Sequence, residues 1–242
     1  MFQTTRWLTL LIIVSVSIQS QNLFSPKIKG EKVVNTAINQ LDTILPSGHV
    51  VKIDYYANGR KKHERSFLDK REDGMQRWWY ESGQIKMEQN YKQGTMHGIK
   101  NTWFLSGQKR CQENFKDGRF DSTQICWFEN GRKMNLKNYK NNEIDGVQQS
   151  WYNSGQMSME EFYVKARKHG CQRWFYESGQ IKLEKNYKHG VEHGIQVSYY
   201  LSGQLSYVQN YKDGRKHGLQ KWYYENGQLI REENYDNGNA VE

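Results

Sequence analysis

Residues 79–99 read W-Y-E-S-G-Q-I-K-M-E-Q-N-Y-K-Q-G-T-M-H-G-I, and this stretch decides the fold. It holds two turn signals. Glu81-Ser82-Gly83-Gln84 and the run from Lys92 to Gly98 each place glycine where a tight turn between antiparallel strands demands a positive φ. The segment between them, Gln84 to Tyr91, and the one that follows, Ile99 to Phe104, mix Trp, Tyr, Phe and Ile with polar residues over the length of a strand. Neither leaves room for a helix, so the unit is a hairpin.

The same unit recurs along the chain. Gly59, Gly83, Gly107, Gly131, Gly155, Gly179, Gly203 and Gly227 stand 24 residues apart without an insertion, each directly after Ser or Asn. The second turn signal returns at Lys188 to Gly194 and Lys212 to Gly218. Eight such copies predict an all-β protein, an elongated single-layer antiparallel meander or solenoid of hairpin repeats. The expected strands number sixteen, from about Val50–Tyr56 to Gln228–Tyr235. At roughly 4.8 Å per strand they would extend on the order of 75 Å. Glu232, Glu233 and Asp236 near the last strand would discourage end-to-end pairing.

The flanks divide the rest. Residues 1–20 carry an apolar run from Trp7 to Ile18 behind Arg6, with Ser17 and Ser20 at its end. That run is shorter than the roughly 20 residues that span a bilayer and reads as a signal peptide, so the protein is expected to be exported, to the periplasm, the outer surface or beyond. Residues 21–49 form a linker and a short capping helix, in which Val34, Ala37, Ile38, Leu41 and Ile44 or Leu45 fall at helical spacing before Pro46-Ser47-Gly48. An extra strand over Val33 to Ile38 is the alternative. Residues 50–242 are the repeat domain.

Composition agrees with a folded but thin body. Of 242 residues, 36% are hydrophobic and 14% aromatic, with 2 prolines, which excludes collagen-like, proline-rich and disordered classes. The apolar fraction is low for one thick core. The net charge is +9, and Arg6 is the only charged residue before position 21. A basic exported protein suits acidic glycans, phospholipid head groups or an acidic partner, although a solvated surface explains the same charge. No Asn-x-Ser/Thr sequon occurs.

Tyr224-Glu225-Asn226-Gly227-Gln228, Asn210-Tyr211-Lys212-Asp213-Gly214 and His217-Gly218 resemble MORN-type repeats, and more closely the bacterial MORN-variant repeats of the YwqK-type antitoxin family. The resemblance covers about residues 50–242. It implies an antiparallel hairpin ribbon, a role in protein or membrane association, and no catalytic residues.

In an in-register meander each repeat position becomes a row of side chains. One row holds Trp79, Trp103, Trp127 and Trp151, then Phe175, Tyr199 and Tyr223; its neighbour holds Tyr80, Phe104, Phe128, Tyr152, Tyr176, Tyr200 and Tyr224. Strand alternation places these two rows on opposite faces. A third runs from Phe67 through Tyr91, Phe115, Tyr139, Tyr163, Tyr187 and Tyr211 to Tyr235. Aromatic pairs give a single-layer sheet its cohesion. The Trp-rich row is also the candidate stacking platform for sugar rings, peptide or a membrane interface. A basic row of Lys92, Lys116, Lys140, Lys188 and Lys212 could follow an anionic polymer or bilayer, or could simply keep the turns soluble.

His97, His169, His193 and His217 share a position with Asp73, Asp121 and Asp145. Copies roughly 9 to 10 Å apart cannot converge on one ion, so these side chains are expected to bond local backbone, with no metal and no cofactor. Cys111, Cys126 and Cys171 look like ordinary occupants of repeat positions, but folding about the Lys116 to Asp121 turn could set Cys111 opposite Cys126 for a disulfide. No nucleophile elbow, phosphate loop or carboxylate pair breaks the repeat. The sequence therefore predicts a non-enzymatic exported scaffold for a protein partner at the cell envelope. The alternatives are a glycan or anionic-surface module and an antitoxin or immunity protein; nucleic acid is not an expected ligand.

Overall fold

The computed structural model describes residues 40–45 and 47–241. Its 24 strand segments form one sheet in which every pairing is antiparallel, and none of the described residues is helical. The signal segment and positions 34–39 of the expected helix lie outside the described residues. The end of that expected helix is a strand: Gln40–Ile44 pairs with Val50–Tyr55, from Gln40 opposite Asp54 to Ile44 opposite Val50. An open sheet edge with unpaired N–H and C=O groups favours one more strand over a helix, which would leave that edge unbonded.

Gly74–Trp79 pairs with Ile85–Lys92, and Ile85–Lys92 pairs in turn with Thr95–Trp103. Six of the strands that follow a second turn are split into a two-residue piece and a six-residue piece, as in Arg119–Phe120 and Ser122–Trp127. Counted once each, they give the sixteen expected strands between Val50–Tyr55 and Leu229–Asp236, with Gln40–Ile44 and Asn239–Val241 added at the ends.

Both turns form as the sequence dictates. In the first, the Tyr80 N–H donates to the Gln84 carbonyl at 2.9 Å and the Gly83 N–H to the Tyr80 carbonyl at 2.9 Å. The eight spaced glycines occupy this position with φ from 79° at Gly59 to 96° at Gly83. In the second, Gln93 and Gly94 both have positive φ, 50° and 82°, the conformation of a two-residue hairpin loop. Lys165 and Ala166 adopt the same geometry without a glycine, at 48° and 60°. The Gly94 N–H donates to the Glu72 carbonyl at 2.7 Å and the Gly190 N–H to the Lys168 carbonyl at 2.8 Å, so each second turn is fastened to the preceding unit.

What lies in the middle of the sheet is not apolar. Phe115 is the buried hydrophobic residue, while Gln76, Gln124, Gln148, Gln172, Gln196 and Gln220 occupy one repeat position and are 0–5% exposed. These glutamines repair the break in the split strands. Gln124 Nε2 donates to the Asn114 carbonyl at 2.9 Å, and the Asn114 N–H donates to Gln124 Oε1 at 2.9 Å. A side-chain amide thus stands in for a missing peptide rung. Gln172 does the same for Phe162 at 3.2 and 2.8 Å, and Gln220 for Asn210 at 2.8 and 3.2 Å. The asparagines complete the closure: Asn114 Nδ2 donates to the Thr123 carbonyl and Asn210 Nδ2 to the Leu219 carbonyl. Every such bond matters because an unpaired buried polar group costs about 1–3 kcal/mol.

Candidate binding surface

Trp79, Trp103, Trp127 and Trp151 end their strands and are half-buried. Three of them lie under an ammonium group: Lys61 Nζ is 5.4 Å from the ring centre of Trp79, Lys109 Nζ 5.7 Å from Trp127, and Lys133 Nζ 5.6 Å from Trp151. Such contacts both stabilise and cover the indole. At Trp103 the corresponding position is Ile85, which brings no cation.

The neighbouring aromatic row does not occupy the opposite face. A register shift between Trp78 and Trp79 ends the alternation, and Tyr80 already belongs to the turn. Tyr80 and Trp103 therefore line one cavity, as do Tyr152 and Phe175. Most members of this row are tied down: the hydroxyl of Tyr80 donates to the Trp103 carbonyl at 2.8 Å, that of Tyr152 to Phe175 at 2.7 Å, and that of Tyr176 to Tyr199 at 2.8 Å. Phe104 and Phe128 have no hydroxyl to give.

The first cavity, of about 160 Å³, is lined by the rings of Trp78, Tyr80 and Trp103, by Met87 and Thr102, and by Lys86 and Arg110. A second of about 200 Å³ lies three repeats on, lined by Tyr152, Phe175 and Leu183, with Ser158, Trp174 and Lys182 in the places of Lys86, Thr102 and Arg110.

The third row is structural. Phe120 inserts between Phe115 and Tyr139 with ring centres 4.7 and 5.3 Å apart, while Lys168 and Lys216 cap Tyr187 and Tyr235 at 5.4 and 4.8 Å. Beside it, Glu161 accepts Lys168 Nζ at 2.8 Å and the Tyr163 hydroxyl at 2.9 Å. Burial, followed by the Glu161 carboxylate, pushes the Tyr163 phenol up to about 12. Elsewhere Arg77 bridges Glu64 and Glu88 at 3.0 and 3.1 Å. Burial alone would raise the Glu64 carboxyl, but Lys61 and Arg77 outweigh it and hold the group below its ordinary range.

Lys92, Lys116, Lys140, Lys188 and Lys212 are all exposed at the second turns. Lys116 pairs with Arg119 and Lys212 with Arg215, which thickens the positive charge of that edge. The shared His/Asp position reaches the next turn rather than its own backbone. His97 Nδ1 lies 3.3 Å from Asp117 and His193 Nδ1 3.4 Å from Asp213, and Asp73 accepts the Gln93 N–H at 2.9 Å. That bond and His49 hold the Asp73 carboxyl below its usual range. Among the described residues no three His, Cys, Asp or Glu side chains converge as metal ligands.

Cys111 and Cys126 are Cα partners in adjacent strands and are joined by a disulfide. Cys171 is a free, half-buried thiol that burial pushes up, which favours the thiol over the thiolate.

With this geometry in place, the family described as MORN repeat variant matches at residues 72–93, 144–165, 168–189, 192–213 and 216–237. These five stretches are similar to MORN-variant repeats, a repeat type generally associated with binding to proteins or membranes. Each matched stretch begins just past one second turn and ends in the next, so the family unit and the hairpin coincide. No curated protein matches the chain.

Proposed function

We propose that the protein is an exported, non-enzymatic repeat scaffold that mediates protein–protein contact at the cell envelope. The observation that carries this reading is a stripe of exposed apolar side chains, interrupted at Thr123 and Cys171. Ile99, Val147, Ile195 and Leu219 occupy one repeat position and are 36–51% exposed. Each directly precedes a glutamine or lysine position of the strand centre, so the stripe projects from one side of the sheet. Such apolar surface, repeated along a rigid array, suits a partner held by many modest contacts. Export is supported by the apolar segment Trp7 to Ile18 and by the Cys111–Cys126 bond, which persists in oxidising compartments. The resemblance to YwqK-type antitoxins supports a narrower version, in which the partner is one exported toxin.

Affinity capture from envelope extract with the tagged chain, beside a version carrying Ile99→Glu and Ile195→Glu, tests the reading. A stoichiometric protein retained by the first and lost from the second is the expected result. Equal retention on both would remove the stripe from the interface. A second reading, contact with an anionic polymer or bilayer, is favoured by the exposed lysine edge, and it predicts binding that weakens steeply with salt.

A further inference from the structure

The repeat symmetry is broken most where ligand chemistry is richest. At the first cavity Ile85 stands where lysines cover the other tryptophans, so the indole of Trp103 lacks a covering cation. The lining contains Lys86 and Arg110 and no carboxylate. Both cations are exposed, and among the described residues neither forms an ion pair, whereas Lys100 and Lys168 elsewhere in the sheet are engaged by Glu113 and Glu161. They are held near the aromatic row instead: Lys86 Nζ is 5.5 Å from the ring of Tyr80 and the Arg110 guanidinium 5.8 Å from that of Phe104.

We infer that this slot binds a carboxylated pyranose unit of an acidic polysaccharide. The space of about 160 Å³, similar to an enclosed cavity that holds benzene, is partly open to solvent, so it can take one face of a sugar ring while the rest projects outward. Aromatic walls from Trp78, Tyr80 and Trp103 offer flat surfaces to the C–H faces of a sugar. The Thr102 hydroxyl can bond ring hydroxyls. The fork of Arg110 can take a carboxylate in bidentate fashion, with Lys86 adding charge. An acidic peptide would use the cations and leave the ring-sized space empty.

A related slot at Tyr152, Phe175 and Lys182, where Trp174 under Lys168 Nζ at 5.3 Å takes the place of Thr102, extends the argument to a polymer. Three repeats separate the two, six strands or roughly 29 Å at ~4.8 Å each. A single sugar cannot touch both, but a chain can, and the second contact then gains from effective concentration. Its lone cation makes the second slot the weaker of the two.

The test is isothermal titration of the full chain with a long oligogalacturonate, beside a dextran of similar length, inorganic phosphate and vesicles of anionic phospholipid. The expected result is salt-sensitive binding of the oligogalacturonate alone. Trp103→Ala and Arg110→Gln should each weaken it about tenfold or more, a loss typical of a hot-spot residue. Trp127→Ala, in the same row but under Lys109, should leave it unchanged, and unaltered circular dichroism of Arg110→Gln separates loss of binding from loss of fold. Equal binding of dextran, or binding carried by phosphate or vesicles instead, would overturn the inference. So would failure to bind the oligogalacturonate, or indifference to both substitutions.

Discussion

Gln89 and Lys100 are Cα partners in neighbouring strands, and together they invert the arrangement of the other copies. Lys100 occupies the position of the buried glutamines, while Gln89, 1% exposed, supplies the amide from the opposite strand. Gln89 Nε2 donates to the Asn90 carbonyl of its own strand at 2.9 Å, the acceptor equivalent to Asn114 in the next copy, while its Oε1 has no protein partner. In this copy Thr95–Trp103 runs unbroken, and Lys100 Nζ turns to Glu113 at 2.8 Å.

Replacing Gln172 with leucine removes both bonds to the Phe162 backbone and should destabilise the sheet by about 2–4 kcal/mol, since two polar groups lose their partners. Gln89→Leu removes a single bond, to the Asn90 carbonyl, and should cost about half as much, and adding Lys100→Gln should recover most of the loss by restoring the usual arrangement. Urea unfolding of the single and double variants measures the coupling; strict additivity would show that the two positions do not exchange roles.

Ala166 has φ of 60° in a loop where most copies have glycine. Ala166→Gly should therefore raise stability by about 1 kcal/mol, because a left-handed conformation costs an L-residue roughly that much. A thermal melt in which the variant is no more stable would argue against strain at this turn.

Reduction of Cys111–Cys126, which closes a sequence separation of 15, should lower stability by about 3 kcal/mol on the loop-entropy argument. Melting with and without reductant, repeated on Cys111→Ser with Cys126→Ser, gives the value. The double variant should become insensitive to reductant.

The phenols of Tyr91, Tyr139, Tyr187, Tyr207 and Tyr211 are raised by burial, and Tyr163 reaches about 12. The unfolded chain therefore releases these protons first as pH rises, near the ordinary phenol value of about 10. Their contribution to stability is complete below about pH 10 and is lost as pH rises beyond it, in the case of Tyr163 towards about pH 12. Absorbance of tyrosinate followed with the melting temperature should show unfolding together with a cooperative rise in ionisation. Independent titration of the phenols near pH 10 in the folded protein would contradict the burial argument.

The hairpins were legible because turn chemistry is local: glycine at a fixed spacing demands positive φ whatever surrounds it. The opposition of Cys111 to Cys126 followed from the same register. The glutamine rungs were missed although Gln76, Gln124, Gln148, Gln172, Gln196 and Gln220 stand in plain sequence register. A recurring polar residue in mid-strand reads as a solvent face, and only backbone geometry reveals that it lies within the sheet. The two aromatic rows were misassigned for a related reason, since alternation is a property of regular strand and fails at the Trp78/Trp79 shift. Leu41 and Ile44 match helical spacing, but bonding to a free sheet edge overrides a short periodicity. The cavity at Trp103 depends on which residue covers which ring, a relation between units that the row pattern alone does not show.

The Cys111–Cys126 bond also sets how the protein responds to force. Pulling on the two ends loads antiparallel hairpins across their strands, so rungs open one after another rather than all at once. Peeling that begins at Gln40–Ile44 or at Asn239–Val241 would run inward until it meets the covalent link between Lys109–Lys116 and Ser122–Trp127. Stretched in an oxidising medium, the chain would stop short of its full contour length by the residues between the two cysteines, and a reductant would release them. A protein built this way would yield under tension and still keep that loop closed.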